Sequence, residues 1–193
     1  MFRKWFNHLG TTLYVQLWEN RLKVTDSGTG RTFDETPKIK IVTNQKGEKI
    51  ISAIGTLADN TQEPNSAVIN PFSHPRTLLA DFTAAEKVLQ HAFKTLSGNK
   101  YLSPSPAVVI QPMEKVDGGL TQIEHKAFKE LALGAGARDA IVYEGEESSP
   151  SSINFAKMAN EHTATPEAQK STLPATVVTV LMVTVLLFIV LAG

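Results

Sequence analysis

The sequence predicts an α/β fold: an antiparallel strand meander, then helix, strand, helix and strand, with one transmembrane helix at the C-terminus. Three observations predict it. Apolar and polar residues alternate through much of residues 12–54, the period of half-buried strands. Two later stretches repeat apolar residues at helical spacing behind T-x-x-E boxes, and a short, wholly apolar run follows each, the mark of a buried strand. From Ser171 to Gly193 no side chain is charged.

The opening segment, MFRKWFNHLG, forms residues 1–10. On a helical wheel Met1, Phe2, Trp5, Phe6 and Leu9 share one face, and Arg3, Lys4, Asn7 and His8 lie outside it. Aromatics on one side and cations on the other fit a short helix lying in a membrane interface, which makes Phe2, Trp5, Phe6 and Leu9 candidate lipid contacts.

Strands are expected at Thr12–Trp18, Arg21–Thr25, Arg31–Phe33, Lys38–Thr43 and Lys49–Ile54, with turns at Glu19-Asn20, at Ser27-Gly28-Thr29-Gly30 and from Asn44 to Glu48. The SGTG cluster lacks the lysine and the following helix of a phosphate loop, so it reads as a hairpin turn. Asp59 to His74 is polar and turn-rich. A helix is expected over Thr83–Leu96, with Thr83 and Glu86 as its capping box and Ala85, Val88, Leu89, Ala92, Phe93 and Leu96 on its apolar face. Ala107–Ile110 reads as a buried strand. Thr121 and Glu124 open a second helix, with Ile123, Ala127, Phe128 and Leu131 facing the core and Gly134 closing it. Ala140–Tyr143 is the last strand. Glu146 to Lys170 is rich in Ser, Thr, Pro and Asn; it reads as a flexible tether, with a single helical turn at Ile153–Met158.

The tail, Leu173 to Ala192, reads LPATVVTVLMVTVLLFIVLA. A helix of that length measures about 30 Å, the thickness of a bilayer's hydrocarbon core. Its Leu, Ile, Val and Phe residues favour insertion by about 4–8 kcal/mol in total. Leu173, Val177, Leu181, Leu187, Phe188 and Leu191 are candidate lipid contacts, and no polar stripe marks a face for a soluble core. A C-terminal anchor of this kind places the protein in the inner (cytoplasmic) membrane, single-pass, with the N-terminal part in the cytoplasm. The expected domains are therefore 1–10, an amphipathic segment; 11–146, the folded α/β part; 147–170, the tether; and 171–193, the anchor.

Composition excludes several functions. Lys plus Arg and Asp plus Glu number 19 each, so the formal net charge is zero; a nucleic-acid partner, which needs a basic face, is not expected. The chain has no cysteine, which removes disulfides, thiol catalysis and cysteine-based zinc sites. The histidines, His8, His74, His91, His125 and His162, show no metal-ligand spacing with a carboxylate partner, so no metal is expected, and His91 and His125 read as solvated helix residues. Gly134 and Gly136 in LGAGAR read as a helix end. No nucleophile sits in a recognisable elbow, and no catalytic residue is nominated.

Two stretches resemble the bacterial actin-like rod-shape proteins of the MreB family. Leu79–Leu96, LADFTAAEKVLQHAFKTL, is similar to that family's "IADF…TEKMLQHF", with Ala80, Asp81, Phe82, Glu86, Lys87, Leu89, Gln90 and His91 matching. Pro104–Tyr143 follows its strand–helix–strand pattern, and Val68-Ile69-Asn70-Pro71 resembles the segment entering this region. The resemblance covers roughly Leu13 to Glu144 and implies a ribonuclease-H-like, actin-like first subdomain, one wall of a cleft whose opposite domain is missing. It also implies a phosphate-binding hairpin D-L-G-T-x-N-T. Here that hairpin is degenerate: Gln16, Leu17, Trp18, Glu19 and Asn20 stand in its place, with Gln16 at the metal-proximal Asp and Trp18 near the bare Gly. The family's "EEP", whose second Glu is linked to hydrolysis, becomes Glu144-Gly145-Glu146. Gln supplies no negative charge and a tryptophan obstructs a phosphate. No ATP cofactor and no enzymatic activity are therefore expected, and changes at Gln16 or Glu19 are expected to matter little.

The function expected from these features is that of a non-catalytic, membrane-tethered MreB-like protein. It would bind or modulate the rod-shape actin-like cytoskeleton or the cell-wall elongation machinery. Its expected partners are membrane lipid, an actin-like cytoskeletal or elongation-complex protein, and a second copy in a homodimer. The alternative is an adaptor in another membrane assembly, such as a secretion or pilus platform, that uses an actin-like domain.

Overall fold

The structure, a computed structural model, describes residues 11–59, 63–98 and 104–164. The chain divides into two units, Met1–Met158 and Ala159–Gly193. The first holds every strand of the described residues; of the second, only the end of one helix is described. The amphipathic segment 1–10 and the anchor 171–193 lie outside the described residues, and with them Phe2, Trp5, Phe6, Leu9, Leu173, Val177, Leu181, Leu187, Phe188 and Leu191. Among the described residues no helix is long and apolar enough to cross a membrane.

In chain order the elements are β1 (Thr12–Leu17), β2 (Leu22–Asp26), β3 (Thr32–Glu35), β4 (Ile39–Thr43), β5 (Lys49–Ile54), β6 (Ser66–Ile69), α1 (Phe82–Ser97), β7 (Ala107–Pro112), α2 (Gln122–Gly134), β8 (Asp139–Val142) and α3 (Phe155–Ala164). Five strands make one mixed sheet in the order β3-β2-β1-β7-β8. β1–β2 and β2–β3 are antiparallel, while β7 runs parallel to β1 and β8 parallel to β7. The helices α1 and α2 supply the connections that parallel strands require.

β1 and β7 lie at the centre, and their residues are buried almost without interruption, as strands covered on both faces are. On the first face Leu13, Val15 and Leu17 of β1, Val108 and Ile110 of β7, and Ala140 and Val142 of β8 join Val88, Leu89 and Phe93 of α1 and Phe128 and Leu131 of α2 in one core. Each such side chain contributes about 1.5–3 kcal/mol by leaving water. On the second face the alternate residues Tyr14, Gln16, Val109, Gln111 and Ile141 are also buried.

The expected meander breaks after three strands. β4 and β5 leave the large sheet and form a second, antiparallel sheet with β6, in the order β5-β4-β6. The cause is local: Pro37 follows β3, has no N–H to extend the ladder, and turns the chain away. β6 lies in the stretch that reads as polar and turn-rich; its four residues are too few for alternation to show. Ile41, Ile54 and Ile69 pack this sheet's inner face against the core.

Three local expectations need correction. The cap of α1 is Asp81, whose carboxylate accepts from the Ala84 N–H at 3.0 Å, so Thr83 lies inside the helix and forms no capping box. At α2 the Thr121/Glu124 box is present in full, but Ile123 is 81% exposed because it lies in the first turn, away from the core-facing Phe128 and Leu131. The stretch 147–170, read as tether, carries a short 3-10 turn at Pro150–Ser152 and α3, with Ile153 and Phe155 buried. The helix end at LGAGAR is as expected: Ala137 N–H donates to Ala132 C=O at 3.1 Å and Gly136 N–H to Leu133 C=O at 3.0 Å. This Schellman closure needs the positive φ of 108° at Gly136.

Candidate functional site

In open α/β sheets ligands sit beyond the carboxyl ends of the parallel strands. In this chain that place lies between the β1–β2 hairpin and the segments after β7 and β8. Every hairpin residue named from the sequence maps here.

The hairpin is tight. Leu17 pairs with Leu22, Trp18 N–H donates to Arg21 C=O at 2.9 Å, and Glu19-Asn20 form the tip, as the sequence predicts. Leu17 points into the core, fully buried. Trp18 is half-buried, and the Arg21 guanidinium lies 5.2 Å from its ring centroid, within cation–π range. Arg21 also makes two hydrogen bonds to Asp34, at 2.8 and 2.6 Å. These bonds hold the Asp34 carboxyl below its ordinary value.

The tip is tied from outside. The Glu19 N–H, a backbone donor that could face a phosphate, donates instead to Glu114 Oε2 at 2.7 Å. Lys115 Nζ bridges Glu19 Oε2 at 2.7 Å and the His74 carbonyl at 2.6 Å. Asn70 Nδ2 donates to the Glu19 carbonyl at 2.8 Å, and Asn20 Oδ1 lies 3.4 Å from the same amide.

Gln16 lies on the second face, 1% exposed, and its Nε2 donates to Glu147 Oε1 at 2.7 Å. Beside it Gln111 Nε2 donates to the Gly145 carbonyl at 2.6 Å. The Tyr14 hydroxyl donates to Gln111 Oε1 and receives the Ser148 N–H at 3.4 Å. Three buried polar side chains of the central strands therefore find partners in one strap, Gly145–Ser148. The phenol of Tyr14 is pushed above its usual value, chiefly by burial.

Gly145 has a steric reason: a Cβ there would collide with the Tyr143 ring. Glu144 is engaged too, accepting from the Leu120 N–H at 2.5 Å and pairing with His125 Nε2 at 2.5 Å. His125 is thus a partnered residue, contrary to its solvated reading. His91 packs edge-on against Phe33 at 5.9 Å. Among the described residues no group of three or more His, Cys, Asp or Glu could hold a metal ion.

Chemically the site is a carboxylate-lined clamp. Glu19, Glu114 and Glu147 line it beside Lys115 and Arg21, with the hairpin amide already engaged and Trp18 at its edge. Sequence reasoning located Gln16–Asn20 and Glu144–Glu146 but missed Tyr14, Gln111, Glu147 and Ser148. One signal was present: Tyr14, Gln16 and Gln111 are polar interruptions in otherwise apolar strands.

Over 148 residues, 75% of its length, the chain is 31% identical to the cell shape-determining protein MreB of Escherichia coli K12. It is 32% identical to MreB of Pasteurella multocida over the same length. These matches show MreB-like, actin-like homology over about three quarters of the chain. The chain spans 41% and 40% of those two relatives. Among solved structures, MreB5 of Spiroplasma citri bound to ADP superposes with a TM-score of 0.53 at 22% identity, over 70% of this chain and 38% of that one. A non-polymerising MamK mutant bound to AMPPNP gives 0.55 at 15% identity, over 69% and 40%. The fold is therefore actin-like. No protein-family model matches the chain.

Proposed function

We propose that this chain is a non-catalytic, membrane-tethered MreB-like protein that binds or modulates the rod-shape actin-like cytoskeleton or the cell-wall elongation machinery. The observation that carries the reading is the strap. In the position where the sequence resemblance places a metal-proximal Asp, Gln16 is bonded to Glu147. Where it places a hydrolysis-linked Glu, Gly145 gives its carbonyl to Gln111. A side-chain amide brings no negative charge to a metal ion, and a backbone carbonyl cannot act as a general base. Homology to cell shape-determining MreB supports a role beside that cytoskeleton, with an actin-like or elongation-complex protein as partner.

Membrane tethering rests on the sequence. The uncharged stretch Ser171–Gly193 has the length and hydropathy of a spanning helix, and the aromatic face of residues 1–10 would lie against the same lipid surface. Location at the inner membrane with the folded part in the cytoplasm follows from that anchor.

Two measurements test the reading. Titration of the purified chain with a fluorescent ATP analogue is expected to show no saturable binding at micromolar concentrations; micromolar affinity would sink the non-catalytic assignment. Crosslinking in cells, with and without residues 171–193, is expected to recover a cytoskeletal or elongation-complex protein from the full chain only. Recovery of secretion or pilus components instead would favour the adaptor alternative.

A further inference from the structure

The formal net charge of zero is the sum of unequal surfaces. α1 and α2 cover the first face of the large sheet together, so the residues they turn from the core share one outer layer. Lys87 and Lys94 of α1 and Lys126 and Lys129 of α2 are exposed on it, and none of the four is ion-paired among the described residues. Glu130 is the one acidic residue of the two helices that is exposed. Glu86 is half-buried and bonded to Gln90, and Glu124 to the Thr121 cap. Ile123, 81% exposed, lies one turn before Lys126. A large apolar side chain among lysines on a helical surface is the pattern of contact with an anionic lipid interface.

We propose that this helix layer lies against the anionic phospholipid headgroups of the leaflet in which the chain is anchored. The proposal rests on the C-terminal anchor as read from the sequence. Charge complementarity selects the occupant: each of the four lysines is attracted by the negative surface potential of a leaflet rich in anionic lipid, and Glu130 is the single exposed carboxylate of the helices set against them. Ile123 adds an apolar side chain that water gains by losing. The chain supplies proximity. Six residues, 165–170, lie between the end of α3 and the uncharged stretch, an extended reach of about 20 Å. Contacts too weak to hold a free protein on a bilayer become effectively intramolecular at that range. The attraction is electrostatic and lies at the surface, so salt screens it.

The chain has no cysteine, so one introduced cysteine carries one probe. Full-length Ile123→Cys and Gln45→Cys, the latter at an exposed position in the β4–β5 turn, are labelled with an environment-sensitive fluorophore. Each is reconstituted into vesicles carrying headgroup spin labels. In vesicles of phosphatidylcholine and phosphatidylglycerol, the probe at position 123 is expected to shift to the blue and to be quenched, while the probe at 45 stays as in water. Raised salt, phosphatidylcholine alone, or Lys126→Glu with Lys129→Glu should each bring quenching at 123 down to the level at 45. Equal quenching at the two positions in the anionic vesicles overturns the proposal. So does quenching at 123 that ignores salt, lipid charge and both substitutions. A crosslink between two copies at position 123 in place of quenching would mean that a second copy covers the face. Lysine-dependent capture of an acidic protein without quenching would mean that a protein does; either result overturns the lipid contact. Flotation with phosphatidylcholine vesicles reads the anchor by itself. A chain that fails to float there lacks the anchor, and the proposal falls with it. A chain that floats without quenching at 123 keeps the anchor and loses the contact.

Discussion

At Gly145 the backbone lies against the Tyr143 ring, leaving no room for a Cβ. Gly145→Ala is expected to destabilise the protein by about 1–3 kcal/mol, as overpacking does, read as a lower urea midpoint. Gln16 has a stronger role than its sequence context implies. Gln16→Leu removes the bond to Glu147 and is expected to cost about 1 kcal/mol of stability; its check is the same urea midpoint. Tyr14 adds a pH dependence. Burial raises its folded-state value above the ordinary 10.0, so its contribution is intact below about pH 10 and is lost as pH climbs through the folded value. Tyr14→Phe should flatten the alkaline limb of stability against pH. Asp34, whose value is lowered by its Arg21 bonds, works in the opposite direction. Its contribution is present above the unfolded value and fades as pH falls through the folded one; it is small, because the pair is exposed.

At the scale of elements, helix entry at α1 distinguishes two neighbouring residues. Asp81 has extended backbone and accepts from Ala84 N–H, while Thr83 lies within the helix. Asp81→Ala is expected to cost about 1 kcal/mol and Thr83→Ala to change little, measured by thermal unfolding of each variant. The reverse holds at α2, where Thr121 forms both bonds of the box with Glu124. Both sequences read T-x-x-E, yet only one is a capping box. The pattern names the residues able to cap; the chain direction entering the helix selects the one that does, and an aspartate two residues upstream takes the role from Thr83.

For the whole molecule, the actin-like fold gathers the hairpin tip, the β7 exit and the β8 exit at one end of the large sheet. In this chain the same end is engaged by Glu114, Lys115, Asn70 and the strap. Removing residues 171–193 is expected to move the protein from the membrane pellet to the supernatant in fractionated cells. Retention of that variant in the pellet would assign membrane binding to another part of the chain.

The strands at 12–17, 22–26 and 49–54, both main helices, the two buried strands and the hairpin turn at Glu19-Asn20 were legible in the sequence. They rest on period, caps and turn chemistry, which act over a few residues. Only the tertiary structure decided that β4 and β5 leave the meander, that β6 exists, and that the stretch after β8 returns across the sheet to satisfy Tyr14, Gln16 and Gln111. Each of these depends on partners far apart in the chain, as Gln16 and Glu147 are. Such pairings follow from which backbone and side-chain groups become buried together, and local periodicity carries no record of that.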